Sequence, residues 1–261
     1  MIGTRLRRAV VWLLGGSVLA FLVVPVVAVV PMSFSSSDIL ELIPTRPGLV
    51  QYERFFASPD WMQAMALSFQ VAIGTMVAAT VLGILAALAL WRLPERVRRP
   101  LEGMLILPRI VPSIVFAIAI YRLFLDVGMV GTVPSLVVAH TVMAIPFVVV
   151  MVGSALRSFD HSLDEASRSL GAGPVTTFFR ITLPQIRLAI LGGALFAFNV
   201  SFDEVVVTLF VSGVRSKTLP VKVWDAIQHE ITPILPAISV LVIAVTLLVL
   251  VPALLIRRRA A

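Results

Sequence analysis

The sequence predicts an all-α membrane protein that crosses the bilayer about six times, and three observations carry that expectation. Of its 261 residues, 59% are hydrophobic and only 13% are charged, against roughly 25% charged in a soluble domain. Mean hydropathy is +1.03. The apolar residues come in long blocks instead of short periodic stripes, and about 20 helical residues are enough to cross roughly 30 Å of hydrocarbon. In lipid every backbone N–H and C=O must bond internally, so such blocks are helices.

The predicted spans lie at roughly 9–31, 64–91, 101–121, 132–155, 188–211 and 234–256. The first block follows Arg5, Arg7 and Arg8 and runs from Ala9 to Pro31. It is longer than a signal-peptide core and no small-residue cleavage site ends it, so it reads as an uncleaved span. A polar stretch with Ser35, Ser36, Ser37, Asp38, Pro44 and Pro47 follows. Its Tyr52, Phe55, Phe56 and Trp61 suit a membrane–water interface. In the second span Gly74 with Ala78, and Ala79 with Gly83, place small residues four apart, where helices can approach closely. Pro108 and Pro112 flank Arg109 near the start of the third span, and Arg109 is expected to snorkel to the cytoplasmic face. The fourth span holds Pro134, Pro146 and a lone His140. The histidine reads as a packed hydrogen-bonding residue, with a proton relay as the alternative.

The fifth span contains Asn199, Ser201, Asp203 and Glu204. Counted from Leu188, the two carboxylates sit roughly 22 Å along the helix. Charges at that depth are costly unless they face water or a partner. One expectation is that Asp203, with Glu204, attracts a cationic amine moving through a pore. The other is an outer gate or an interhelix hydrogen bond holding a dimer together.

Arginine placement sets the orientation. Arg5, Arg7, Arg8, Arg92, Arg96, Arg98, Arg99, Arg257, Arg258 and Arg259 fall on one side, with the loop after span four. Arg46, Arg54, Arg122, Arg215, Lys217 and Lys222 fall on the other. The richer side is cytoplasmic, so both termini are expected inside. This accounts for the net charge of +7 without nucleic acid. No cysteine is present, which excludes thiolate metal sites, disulfides and cysteine nucleophiles. The P-loop pattern, H-E-x-x-H and G-x-S-x-G are all absent, so no catalytic or metal-ligating set is predicted.

The segment from Ser162 to Gln185 is the most informative. Ser162 with Glu165 three residues later has capping-box spacing. Gly171 can end that first helix in a left-handed conformation. Pro174 can open a second helix, expected to stop before Pro184. The result is a polar helix–turn–helix on the cytoplasmic side.

At this segment the sequence resembles the permeases of bacterial ABC importers. Their cytoplasmic motif reads E-A-A, three residues, G, nine residues, I, one residue, L-P. Here Glu165, Ala166, Ser167, Gly171, Ile181, Leu183 and Pro184 stand at those spacings. Ser167 for the second alanine is a small-for-small departure. The stretch Ser201-Phe-Asp-Glu-Val-Val-Val-Thr-Leu-Phe-Val-Ser-Gly, then Thr218-Leu-Pro, together with Tyr52, Trp61 and the run from Ser68, is similar to the spermidine/putrescine class.

The resemblance implies a type I importer bundle. Residues 1–63 would form the first helix and an external loop. Residues 64–252 would form the permease core, with a coupling loop at 156–187, and residues 253–261 a basic tail. It implies a bacterial inner-membrane subunit forming half of a translocation pore. Its expected partners are a second, similar permease, two ATPase subunits that bind ATP and Mg, and a periplasmic solute-binding protein. Glu165, Ala166 and Gly171 would lie at the ATPase contact. The expected cargo is a polyamine or related small amine, with amino-acid derivatives, phosphonates or an ion-coupled secondary transporter as alternatives.

Overall fold

The computed structural model describes residues 2–213, 216–229 and 231–260. Arg215, counted above for orientation, lies outside them, as do the side chains of Arg5, Arg257, Arg258 and Arg259. Helices dominate, and among the described residues the only β pairing is a single bridge between Ser35 and Pro47.

Two units emerge. One comprises Met1–Met62 and Asp225–Val245. It contains α1 (Ile2–Ser33) and α2 (Val50–Ala57). The loop between these helices is pinned at its base. Ser36 N–H donates to the Arg46 carbonyl at 2.8 Å, and Gly48 N–H donates to that of Phe34 at 2.7 Å. At the tip, the Glu41 carboxylate accepts the Thr45 N–H at 2.9 Å. Buried Gln51 donates to the Ser37 carbonyl at 2.9 Å, and Arg54 pairs with Asp38 at 2.7 Å. Phe55, expected at an interface, is fully buried against Phe56 and Trp61.

The other unit comprises Gln63–Trp224 and Thr246–Ala261. Its frame is α3 (Pro59–Trp91), α6 (Val133–Arg157) and α9 (Leu183–Phe202). Small residues let these helices meet. A Cβ at Gly74 would touch Val137, and one at Gly83 would lie 2.6 Å from Val148, inside contact distance. Gly193 presses on the same Val148 from α9. Two apolar clusters are stacked along α6. Leu136, Ala139 and Met143 pack with Ala117, Ile120 and Phe124 of α5 (Ser113–Asp126) and with Val207 and Val211 of α10 (Val206–Val211). Ala144, Val148, Val152 and Leu156 pack with Ala79 and Ala87 of α3 and with Ile186 and Ala197 of α9.

Three expectations about continuity are corrected. The third span is broken: α4 (Glu95–Ile110) meets α5 at 97°. Pro112 lacks an N–H and pushes Val111 into an extended conformation, with ψ of 133°. The fifth span is broken too. α9 ends at Phe202 and α10 starts at Val206, so Asp203 and Glu204 stand in a gap and not within a helix. The helix beginning at Pro174 does not stop before Pro184. α8 (Pro174–Thr177) passes through a π-helical turn, Phe178–Thr182, into α9. Leu183 N–H bonds to the Phe178 carbonyl five residues back. The widened turn leaves room for the proline ring, which would otherwise crowd the preceding turn. Among the described residues four helices are long and apolar enough to span a membrane, or five if α4 and α5 form one broken span. The apolar helix at Ile234–Val249, the front of the helix Ile234–Ala260, is shorter.

Candidate functional site

Two sites take shape at opposite ends of one long rod. Counted through its π turn, the helix from Pro174 to Phe202 has 29 residues, or about 40 Å at 1.5 Å per residue. A hairpin lies at its start and an acidic gap at its end.

The hairpin begins with α7 (His161–Ser169). Its cap is Asp160, whose carboxylate accepts the Ser162 N–H at 3.0 Å, and not Ser162 with Glu165. The short carboxylate two residues upstream takes the donor first. Gly171 follows with φ of +84°, as a left-handed helix end requires. Ser167 Oγ lies 3.1 Å from Thr177 Oγ1 and ties α7 to α8. An alanine there would lose that tie. Glu165 and Ala166 are exposed, and Glu165 lines a 440 Å³ cleft with Trp91, Arg92, Asp164 and Arg168. Three apolar side chains of the hairpin face outward: Leu170 is 88% exposed, Val175 68% and Phe179 60%. Of the remaining motif residues, Ile181 falls in the π turn, and Leu183 and Pro184 open α9.

In the acidic gap the two carboxylates have different surroundings. Glu204 Oε1 accepts the Val207 N–H at 3.0 Å and so caps the start of α10. Asp203 is exposed, and its carboxylate makes no hydrogen bond or ion pair with a described residue. Its own N–H closes α9 on the Asn199 carbonyl at 3.1 Å, which sets Asp203 at the negative end of that helix. Half-buried Asn199 stands one turn back.

Arg109, in the last turn of α4, places its guanidinium over the Phe147 ring, 4.7 Å from the centroid. Phe147 in turn stacks on Phe196 at 6.0 Å. The guanidinium is close enough to Glu204 for the opposite charges to attract. The aromatic ring offers the cation its negative face. His140 is buried, with Nδ1 2.8 Å from Ser201 Oγ and Nε2 2.9 Å from Thr208 Oγ1. Neither the Arg109–Phe147–Phe196 stack nor the histidine bridge was predictable from spacing, because their members are dozens of residues apart.

A family model described as "Binding-protein-dependent transport system inner membrane component" matches residues 79–260. The chain is 34% identical over 249 residues to the spermidine/putrescine transport system permease protein PotC of Haemophilus influenzae, covering 93% of this chain and 94% of that one. It is 32% identical over 249 residues to the putrescine transport system permease protein PotI of Escherichia coli, covering 90% and 85%. In three dimensions it is similar to a chain of a bacterial ABC transporter involved in the import of the acidic polysaccharide alginate. The TM-score is 0.72 at 14% identity, over 99% of this chain and 98% of that one. That likeness concerns the fold alone.

Proposed function

The chain belongs to the binding-protein-dependent transport system inner membrane components, the multi-pass permease subunits of ABC importers whose ATP is bound by a separate ATPase, and from that premise we propose that it conducts a small polycationic amine of the spermidine/putrescine kind. One observation carries the proposal. Asp203 places an exposed carboxylate, with no hydrogen-bond or ion-pair partner among the described residues, at the C-terminal end of α9, where the helix dipole already concentrates negative charge. An acid at that end of a helix is electrostatically unfavourable by itself. The same placement is favourable when an ammonium group passes, as at half-helix ends that meet cations in other transporters. The relatives named for spermidine and putrescine support the same class.

The two acids divide the work. Glu204 is committed to capping α10, so it shapes the gap. Asp203 meets the cargo.

At the other end of the rod, α7 and its turn engage the ATPase through Glu165, Ala166, Ser167 and Gly171. The exposed Leu170, Val175 and Phe179 are apolar surface of the kind a partner covers. The rod begins in the hairpin and ends at the acidic gap with no loop between. ATP-driven closure therefore reaches the gap and shifts the pore between inward- and outward-facing states. The full assembly has a second, similar permease, two ATPases that hold ATP and Mg, and a periplasmic binding protein. Both termini and the hairpin lie in the cytoplasm. Residues 64–252 form the core of this permease, residues 156–187 its coupling loop and residues 253–261 a basic tail.

The test is uptake of labelled spermidine and putrescine into proteoliposomes holding the whole importer. Asp203→Asn removes the charge and keeps the shape. It is expected to raise KM about tenfold or more, because a charge-assisted contact contributes about 1.5–3 kcal/mol. Gly171→Arg, at the other end, is expected to abolish stimulation of ATP hydrolysis by the binding protein. An unchanged KM in Asp203→Asn at normal expression removes Asp203 from the pathway. Stimulated ATPase without amine uptake removes the polyamine assignment and leaves the permease role.

A further inference from the structure

The α9–α10 gap has little of its own to fix its shape. Its backbone is held by Asp203 N–H on the Asn199 carbonyl, by a long 3.4 Å contact from Glu204 N–H to the Ser201 carbonyl, and by Leu209 N–H on the Val205 carbonyl. None of these sets the direction of α10 relative to α9. His140, on α6, touches both helices. Its Nδ1 meets Ser201 in the last turn of α9, and its Nε2 meets Thr208 in α10.

The hydrogen-bond inventory fixes how these contacts run. Thr208 Oγ1 donates its single proton to the Glu204 carbonyl at 3.0 Å. Toward the imidazole it can therefore only accept, which puts the ring proton on Nε2. Nδ1 is then an acceptor, and Ser201 supplies the proton. One neutral tautomer satisfies every group, which suits a side chain only 1% exposed. The chain Ser201–His140–Thr208–Glu204 closes around the gap that contains Asp203. On α6 the histidine stands within the first apolar cluster, between Ala139 and Met143.

We propose that His140 is the positioning residue of the acidic gap: by clasping Ser201 and Thr208 it fixes α10 on α9 and so holds Asp203 where the cargo passes. The consequence for cargo rests on the role given to Asp203 above, whereas the clasp itself does not. His140 touches no cargo. Its effect therefore belongs in the affinity for cargo and in the geometry of the gap.

The test uses the whole importer. His140→Leu fills the space but leaves Ser201 and Thr208 without the imidazole. It is expected to raise KM for spermidine by about as much as Asp203→Asn, with maximal uptake changed less than about twofold. The double variant is expected to be no worse than either single one, since both remove the same interaction. His140→Gln, which keeps a donor and an acceptor, is expected to recover much of the affinity. Because the sequence has no cysteine, spin labels at Leu191→Cys and Leu209→Cys, both exposed positions on α9 and α10, report the clasp directly. Their distance distribution should be narrow in the parent and broad in His140→Leu. Where His140→Leu does not accumulate, Ser201→Ala opens the clasp from the other side and is read in the same way. An unchanged label distance overturns the clasp. KM defects that multiply in the double variant overturn its link to Asp203. A normal KM in Asp203→Asn together with a broadened distance in His140→Leu overturns the cargo role of Asp203 and upholds the clasp.

Discussion

Glu41 shows how one side chain organises a loop. Hydrogen bonding from the Thr45 N–H, aided by the hydroxyls of Thr45, Ser35 and Ser37, lowers its pKa below the ordinary glutamate value. A group whose pKa is depressed by folding contributes its stability above the unfolded value, about 4.3 for glutamate, and loses it as pH falls through the depressed folded value. Protection of the Thr45 amide from hydrogen exchange should therefore be constant at neutral pH and fall in acid. Glu41→Gln should show the weaker protection at every pH, and a variant with the parent's pH profile would contradict this. At this scale the sequence was legible where chemistry is local. Glu165, Ala166, Ser167 and Gly171 could be placed on a hairpin because caps and glycine turns act within a few residues. Asp160 as the cap was missed because two acceptors competed for one helix start and only geometry decides between them. His140 was legible as a buried hydrogen-bonding residue. Its partners Ser201 and Thr208 were not, being 61 and 68 positions away.

At the scale of elements, a close joint lies where α3, α6 and α9 converge on Val148. Lipid tails are as apolar as the helices, so association relies on close packing. Gly83 allows that approach, since any Cβ there would fall 2.6 Å from Val148. Gly83→Ala should lower the stability of the detergent-purified importer by about 1–3 kcal/mol, the usual cost of overpacking. Val148→Ala should relieve part of that loss, read as a partial recovery of Tm in the double variant. Full additivity of the two losses would mean that the contact is not the cause. Helix positions were legible from apolar blocks, whereas their interruptions were only half so. Pro112 was visible at the place where α4 and α5 break by 97°, although the span was expected to be continuous. Nothing as strong marked the gap at Asp203, which combines a capping glutamate with a β-branched run of poor helix formers, Val205 to Thr208. Pro184 misled in the other direction, because a π turn accommodates a proline that an α-helix would not.

At the scale of the molecule, orientation follows from charge. The arginine-rich side is expected to be cytoplasmic, and on that reading the hairpin after α6 faces inside and the loop around Glu41 outside. Single cysteines introduced at Ser169 and at Ile43 test this in intact cells with a membrane-impermeant maleimide. Ile43→Cys should label and Ser169→Cys should not until the membrane is opened, and the reverse pattern would invert the topology. The family was legible from a motif of seven residues, whereas the role proposed for Asp203 depends on where its carboxylate stands once the chain has folded. The π turn at Phe178–Thr182 has a consequence of another kind. It holds one residue more than an α-helical turn would, and each residue rotates a helix by about 100°. The azimuth of the hairpin and that of Asp203 are thus in phase only with the surplus residue present. Deleting Phe179 would restore an ordinary helix and keep the motif from Glu165 to Gly171, yet swing one end of the rod about a quarter turn against the other. The two ends would each remain intact and no longer keep time.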